Sequence, residues 1–177
     1  MKKLLFFLTI MIATTNIFSQ SSNFSVGVIG SHFHNDSNEN KISEADNPYG
    51  YGLVISKGIT KDFSIALTGE YMQGDLKSGL GEEKDLRFHF TGIIHPFTFD
   101  SFQPYLSGGF VYTYRNFNYD SNVQKSDDSE DLINGRVGMG VNVPILKNLF
   151  VNGDLGMYTD GYGYVGWGSN LGFRIGL

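Results

Sequence analysis

A two-residue alternation through the last thirteen residues constrains this chain most. Val165, Trp167, Ser169, Leu171, Phe173, Ile175 and Leu177 fall on one face, and Gly168, Asn170, Gly172, Arg174 and Gly176 on the other. Period two marks a β-strand whose faces meet different surroundings. The non-apolar face is mostly glycine, with one arginine and one asparagine, which suits a narrow hydrated interior better than bulk solvent. The apolar face then looks outward.

The opposite end points the same way. Met1-Lys2-Lys3 precedes an apolar run from Leu4 to Ile12 broken only by Thr9, and polar or small residues continue to Gln20. This is the anatomy of a secretory signal peptide over residues 1–19, cleaved after Ser19, which leaves one domain at 20–177. The apolar run is too short to span a bilayer as a helix, and no later segment approaches 18 apolar residues. For an exported chain that crosses a membrane without helices, a closed β-barrel is the fold that satisfies every backbone group.

Cleavage removes Lys2 and Lys3 from the 13 basic residues, leaving 11 against 18 acidic ones, a net charge of −7. That balance argues against a nucleic-acid partner. With no cysteine, disulfides, a lipidated cysteine, thiol nucleophiles and thiolate metal sites are all excluded.

The alternation recurs eight times, over about 24–33, 49–57, 63–73, 85–95, 103–115, 132–143, 149–158 and 163–177. Long polar stretches (34–47, 74–84, 116–131 and the shorter 159–162) alternate with turns at 58–62, 96–102 and 144–148. Strands of about ten residues and an even strand number fit a tilted membrane crossing. The expected fold is therefore all-β: a closed antiparallel up-and-down transmembrane barrel of eight strands. Acidic residues concentrate in the long connections. Aromatics sort by end, with Tyr49, Tyr51, Tyr71, Tyr112, Tyr114, Tyr158, Tyr162, Tyr164 and Trp167 toward the long loops. Phe24, Phe63, Phe97, Phe99, Phe102, Tyr105, Phe150 and Phe173 lie toward the short turns. Two such bands read as interfacial girdles.

The run Asn170-x-Gly172-x-x-Ile175-x-Leu177 resembles the C-terminal assembly signal of bacterial outer-membrane barrels. The whole chain after residue 19 resembles the small eight-stranded outer-membrane β-barrel proteins of Gram-negative bacteria (OmpA-, OmpX- or OmpW-like barrels without a periplasmic domain). Within it, Gln103-Pro104-Tyr105-Leu106-Ser107-Gly108-Gly109-Phe110-Val111-Tyr112 is similar to the Pro-Tyr- and Gly-rich fifth strand of many members. The resemblance implies a place in the outer membrane, contact with its lipid and lipopolysaccharide, delivery by the barrel assembly machinery, and a monomer.

The inward polar set is Glu70, Arg87, His89, Arg136, Asp154 and Arg174, with Asn134, Asn142, Asn152 and Asn170. It reads either as an interior ion-pair network filling a narrow barrel or as a constriction or gate. Polar exchanges at Thr91 or Asn134 are expected to be nearly silent in a hydrated interior. His32 and His34, close to Asp36, lack a third metal ligand at defined spacing, and the acidic run at 127–131 lacks the spacing of a calcium loop. No cofactor or metal is expected. No nucleophile has a base and orienting acid in reach, so no enzyme is expected. The expected role is structural or surface-interactive, displaying acidic extracellular loops. The alternative is a narrow pore for small or apolar solutes, and a lipid-directed enzyme ranks behind both.

Overall fold

The computed structural model describes residues 24–34, 45–79, 81–97, 99, 101–119, 128–160 and 164–177. The signal-peptide reading, Asp36, Tyr162 and Asp127 lie outside them. Eight strands succeed one another: β1 (Phe24–His34), β2 (Tyr49–Gly58), β3 (Phe63–Asp75), β4 (Gly81–Ile94), β5 (Gln103–Tyr119), β6 (Asp128–Leu146), β7 (Leu149–Thr159) and β8 (Tyr164–Gly176). Each pairs antiparallel with the next, and β8 pairs with β1 from Ser25↔Gly176 to His34↔Trp167, closing the barrel. Closure leaves no unpaired edge, the condition for a sheet in lipid.

The exterior is apolar in a continuous belt. Val28, Leu53, Phe90, Leu106, Phe110, Ile133, Val137, Met139, Leu155, Met157 and Leu171 are all exposed. Exposed Tyr49, Tyr51, Tyr114, Tyr164 and Trp167 band the long-loop end, and Phe63, Phe97, Phe99, Phe102 and Phe173 the short-turn end. An apolar surface of this extent facing water would be an aggregation liability; between two aromatic girdles it is a lipid-facing surface. A closed barrel of this kind is expected to migrate faster on a gel before boiling than after. Identical mobility with and without heating would contradict closure.

Five strand boundaries and several faces differ clearly from the sequence reading. Strands β3–β4 and β5–β6 run past the expected loops, so the connection between β3 and β4 is only residues 76–80. Its tight return uses Gly79 at φ +68, with the Gly79 N–H donating to the Leu76 carbonyl at 2.7 Å. Glu82, Glu83, Glu130 and Asp131, expected in loops, therefore stand on strands. Their polarity does not break the ladder, because each has a partner: Arg115 for Glu83 and Glu130, Lys84 for Glu82, and the Tyr112 hydroxyl for Asp131. Pro144 does not begin a turn but sits inside β6 at a register irregularity, where the missing N–H is tolerated. The turn itself is Lys147-Asn148.

Val165 is the clearest reversal. Tyr158 pairs with Gly166 and Thr159 with Tyr164, so one extra residue is inserted in β8. Such a bulge flips the face of the neighbouring residues. Val165 is fully buried with Phe33, Met72, Val111 and Tyr158, while Trp167 returns to the exterior. Tyr158 and Tyr105 are also buried rather than part of a girdle. Each has the parity of its strand's inward face, which its ring chemistry had obscured.

Candidate functional site: the barrel interior

Inward positions of the eight strands carry all six charged residues expected there, and the structure groups them into tiers. Toward the long-loop end, Asp85 accepts from Arg87 Nε at 3.1 Å and Nη2 at 2.7 Å, and from Arg115 Nε at 3.3 Å. Arg115 also meets Glu83 at 3.3 Å and Glu130 at 3.4 Å. The side chains of Arg87, Arg115, Glu83 and Asp85 are 1–2 % exposed. The Ala45 N–H donates to Glu83 Oε2 at 3.0 Å, and Ala45 bridges Leu76, so the returning end of the first connection is tied over this tier.

Below it, His89 Nε2 meets Glu70 Oε2 at 3.0 Å. Arg87 lies 4.9 Å over the Phe33 ring, and Phe33 meets Tyr158 edge-on at 5.2 Å. Glu70 faces Arg87 across the β3–β4 ladder, yet Arg87 takes Asp85 instead. Lower still, Arg136 pairs with Asp154 and donates to Ser107 Oγ at 3.3 Å, while Asn170 donates to Asp154 at 3.0 Å.

Inward glycines make room for these large groups rather than for solvent. A β-carbon at Gly156 would stand 2.5 Å from Arg136 Nε, and one at Gly140 would run into the Tyr105 hydroxyl. The interior is accordingly packed, not loosely hydrated: Thr91 and Asn134 are 8 % and 4 % exposed. Silent exchange at those two positions is no longer the expectation, because close packing resists volume changes.

Two cavities stand out among the described residues. A void of about 40 Å³ sits mid-barrel, bounded by Ile29, His89, Thr91, Tyr105 and Arg136. A vestibule of about 520 Å³ opens at the short-turn end, lined in part by Lys61, His95, Gln103, Lys147, Asn148 and Arg174. Arg174 lines both.

Of the assembly-signal residues, Asn170 and Gly172 turn inward, and Ile175 and Leu177 are exposed outside. His34 meets Asn47 at 2.7 Å and stands beside the Trp167 ring, while His32 is exposed. Among the described residues, no cluster of three His, Asp or Glu side chains is placed to hold a metal. Sequence reasoning missed Glu83, Asp85, Arg115, Tyr105 and Tyr158. The signal was there: in β4, every second residue from Glu83 to Ile93 is buried, and those between are exposed or half-buried. Reading Glu82-Glu83-Lys84 as a loop because of its charge stopped the count early.

No family model matches the sequence, and no curated protein matches it. Solved structures do. The outer-membrane protein OprG of Pseudomonas aeruginosa superposes with a TM-score of 0.65 at 17 % identity, covering 88 % of this chain and 95 % of that one. The N-terminal β-barrel domain of Pseudomonas aeruginosa OprF gives 0.59 at 18 %, covering 85 % and 96 %. Neisserial surface protein A (NspA) gives 0.58 at 17 %, covering 87 % and 97 %. At these identities the likeness speaks for the fold, and it agrees with the lipid-facing belt read from the exterior. The chain is a small eight-stranded β-barrel of the outer-membrane type.

Proposed function

We propose that this chain is a monomeric outer-membrane barrel with a structural or surface-interaction role, neither a pore nor an enzyme. The observation that carries the reading is the filled lumen. Between the Arg115 tier and Arg174, the mid-barrel void of about 40 Å³ has room for no more than a few waters. A conducting path would have to break several buried, mutually paired charges.

The long-loop end presents exposed Asp75, Glu82, Glu130 and Asp131, an acidic rim suited to a basic partner surface or to cation-bridged contact with lipopolysaccharide. Neighbours of the same fold include Neisserial surface protein A and the attachment invasion locus protein Ail of Yersinia pestis; this favours display at the cell surface by analogy of fold alone. Membrane lipid and the barrel assembly machinery are the partners such a body requires.

Against catalysis, His89 and Ser107 line a void of only about 40 Å³, which has no room for a substrate. A gated pathway is the second reading, favoured by the Glu70–His89 pair beside the void. Conductance across planar bilayers decides between them. The purified barrel is expected to give no stable conductance steps, and Arg87→Gln or Arg136→Gln to introduce leak. Steady steps from the native protein would overturn the closed reading.

A further inference from the structure

The interior charges are not evenly matched along the barrel axis. In the long-loop half, Arg87 and Arg115 face Glu70, Glu83, Asp85 and Glu130. In the short-turn half, Arg136 and Arg174 have one carboxylate between them among the described residues, Asp154, which already holds Arg136 and Asn170. Below Arg174 the vestibule adds Lys61 and Lys147, and among the described residues no aspartate or glutamate side chain lines it. Asp62 stands near enough to act on His95 but is not part of the lining.

Arg174 is also seated against a backing shaped to take it. Its stem lies against β1 where Gly27 has no side chain; a β-carbon there would stand 2.8 Å from Arg174 Cγ. Among the described residues its buried Nε has no hydrogen-bond partner, a costly state for a charged donor. His95 sits at the wall just beyond β4. Partial burial and the nearby Arg174 charge hold its imidazole below the ordinary histidine range, so at neutral pH it serves as a neutral polar group. Arg174 and the exposed turn lysines Lys61 and Lys147 thus line a cavity of about 520 Å³, with polar Gln103, Asn142 and Asn148 between them and Leu177 at its edge.

We propose that this vestibule is an anion-binding site. It takes a phosphate or carboxylate group, with Arg174 as the floor and Lys61 and Lys147 as the rim. The guanidinium supplies a directional donor pair and the two ammonium groups supply attraction at the entrance. In an outer membrane the site faces the periplasm, so its ligand arrives as a soluble anion or as an inner-leaflet lipid headgroup.

The test is a titration of the refolded, isotopically labelled barrel with inorganic phosphate in a zwitterionic detergent. The Arg174 Nε–H resonance is monitored. Saturable movement of that signal and of the side-chain amides of Gln103 and Asn148, which also line the vestibule, is expected. Followed on those amides, Arg174→Gln should weaken phosphate binding at least about tenfold, the scale of one charge-assisted hydrogen bond. The Lys61→Gln, Lys147→Gln double variant changes only exposed turn positions and should keep the heat-dependent gel shift while weakening binding about threefold or more. Phosphatidylglycerol nanodiscs distinguish the sources: movement of the Arg174 signal there without added phosphate supports a headgroup ligand, and movement only with phosphate supports a soluble one. No saturable shift with phosphate, or undiminished affinity in the double-lysine variant, would overturn the site.

Discussion

Asp85→Ala is expected to destabilise the barrel by about 3–5 kcal/mol, the cost of removing one member from a buried ion-pair group. The carboxylate is the common acceptor for Arg87 and Arg115, through contacts of 2.7–3.3 Å. Without it, two guanidinium groups stay inside with too few acceptors: Arg115 keeps Glu83 and Glu130, but Arg87 loses its direct ion pair. Asp85→Asn should cost less, because the amide oxygen still accepts. A compensated variant, Asp85→Leu and Glu83→Gln with Arg87→Met and Arg115→Met, should recover most of the loss. Neutral replacement of a whole buried group is often tolerated, and the amide oxygen introduced by Glu83→Gln still accepts from the Ala45 N–H. Reversible urea unfolding in liposomes measures all three. An Asp85→Ala loss below about 1 kcal/mol, the range of solvated pairs, would show that this tier is open to water.

Val137→Arg tests the exterior. Val137 is 59 % exposed on the outward face at the centre of β6, pairing with Gly108 and Met157. A charge near the bilayer midplane costs about 2–4 kcal/mol in a barrel, falling to about 0–1 near the interface. Ile145, exposed on the same strand beyond the Pro144 irregularity and next to the turn, provides the shallow comparison. Ile145→Arg should therefore cost far less than Val137→Arg. Equal costs at the two positions would remove the depth dependence that only a bilayer imposes, and with it the lipid-facing assignment.

Much of this architecture was legible because alternation is a local property with a single physical meaning. Leu171, Phe173 and Ile175 against Asn170, Gly172 and Arg174 could be sorted to faces without a coordinate, and the strand pairing places them so. Alternation fails as a guide where something interrupts its count. One inserted residue sent Val165 inward. Charge in the tips of β4 and β6 disguised strands as loops, and with them Glu83 and Glu130. Aromatic chemistry drew Tyr158 and Tyr105 toward girdles although their parity pointed inside.

By itself the sequence determined the strand number, the inward and outward sets through most of each strand, and the apolar exterior. These depend on neighbours two residues apart, and burial in lipid enforces them at every turn of the pattern. Only the tertiary structure decided partners and space. It assigned Arg87 to Asp85 rather than to the facing Glu70, joined Arg115 on β5 to Glu83 on β4, and backed Arg174 with Gly27 from β1. It also closed the middle of the lumen while leaving the cationic vestibule open at one end. The reason is geometric: those contacts join residues on different strands across a closed ring, and the size of a cavity depends on how all eight inward faces fill the same volume.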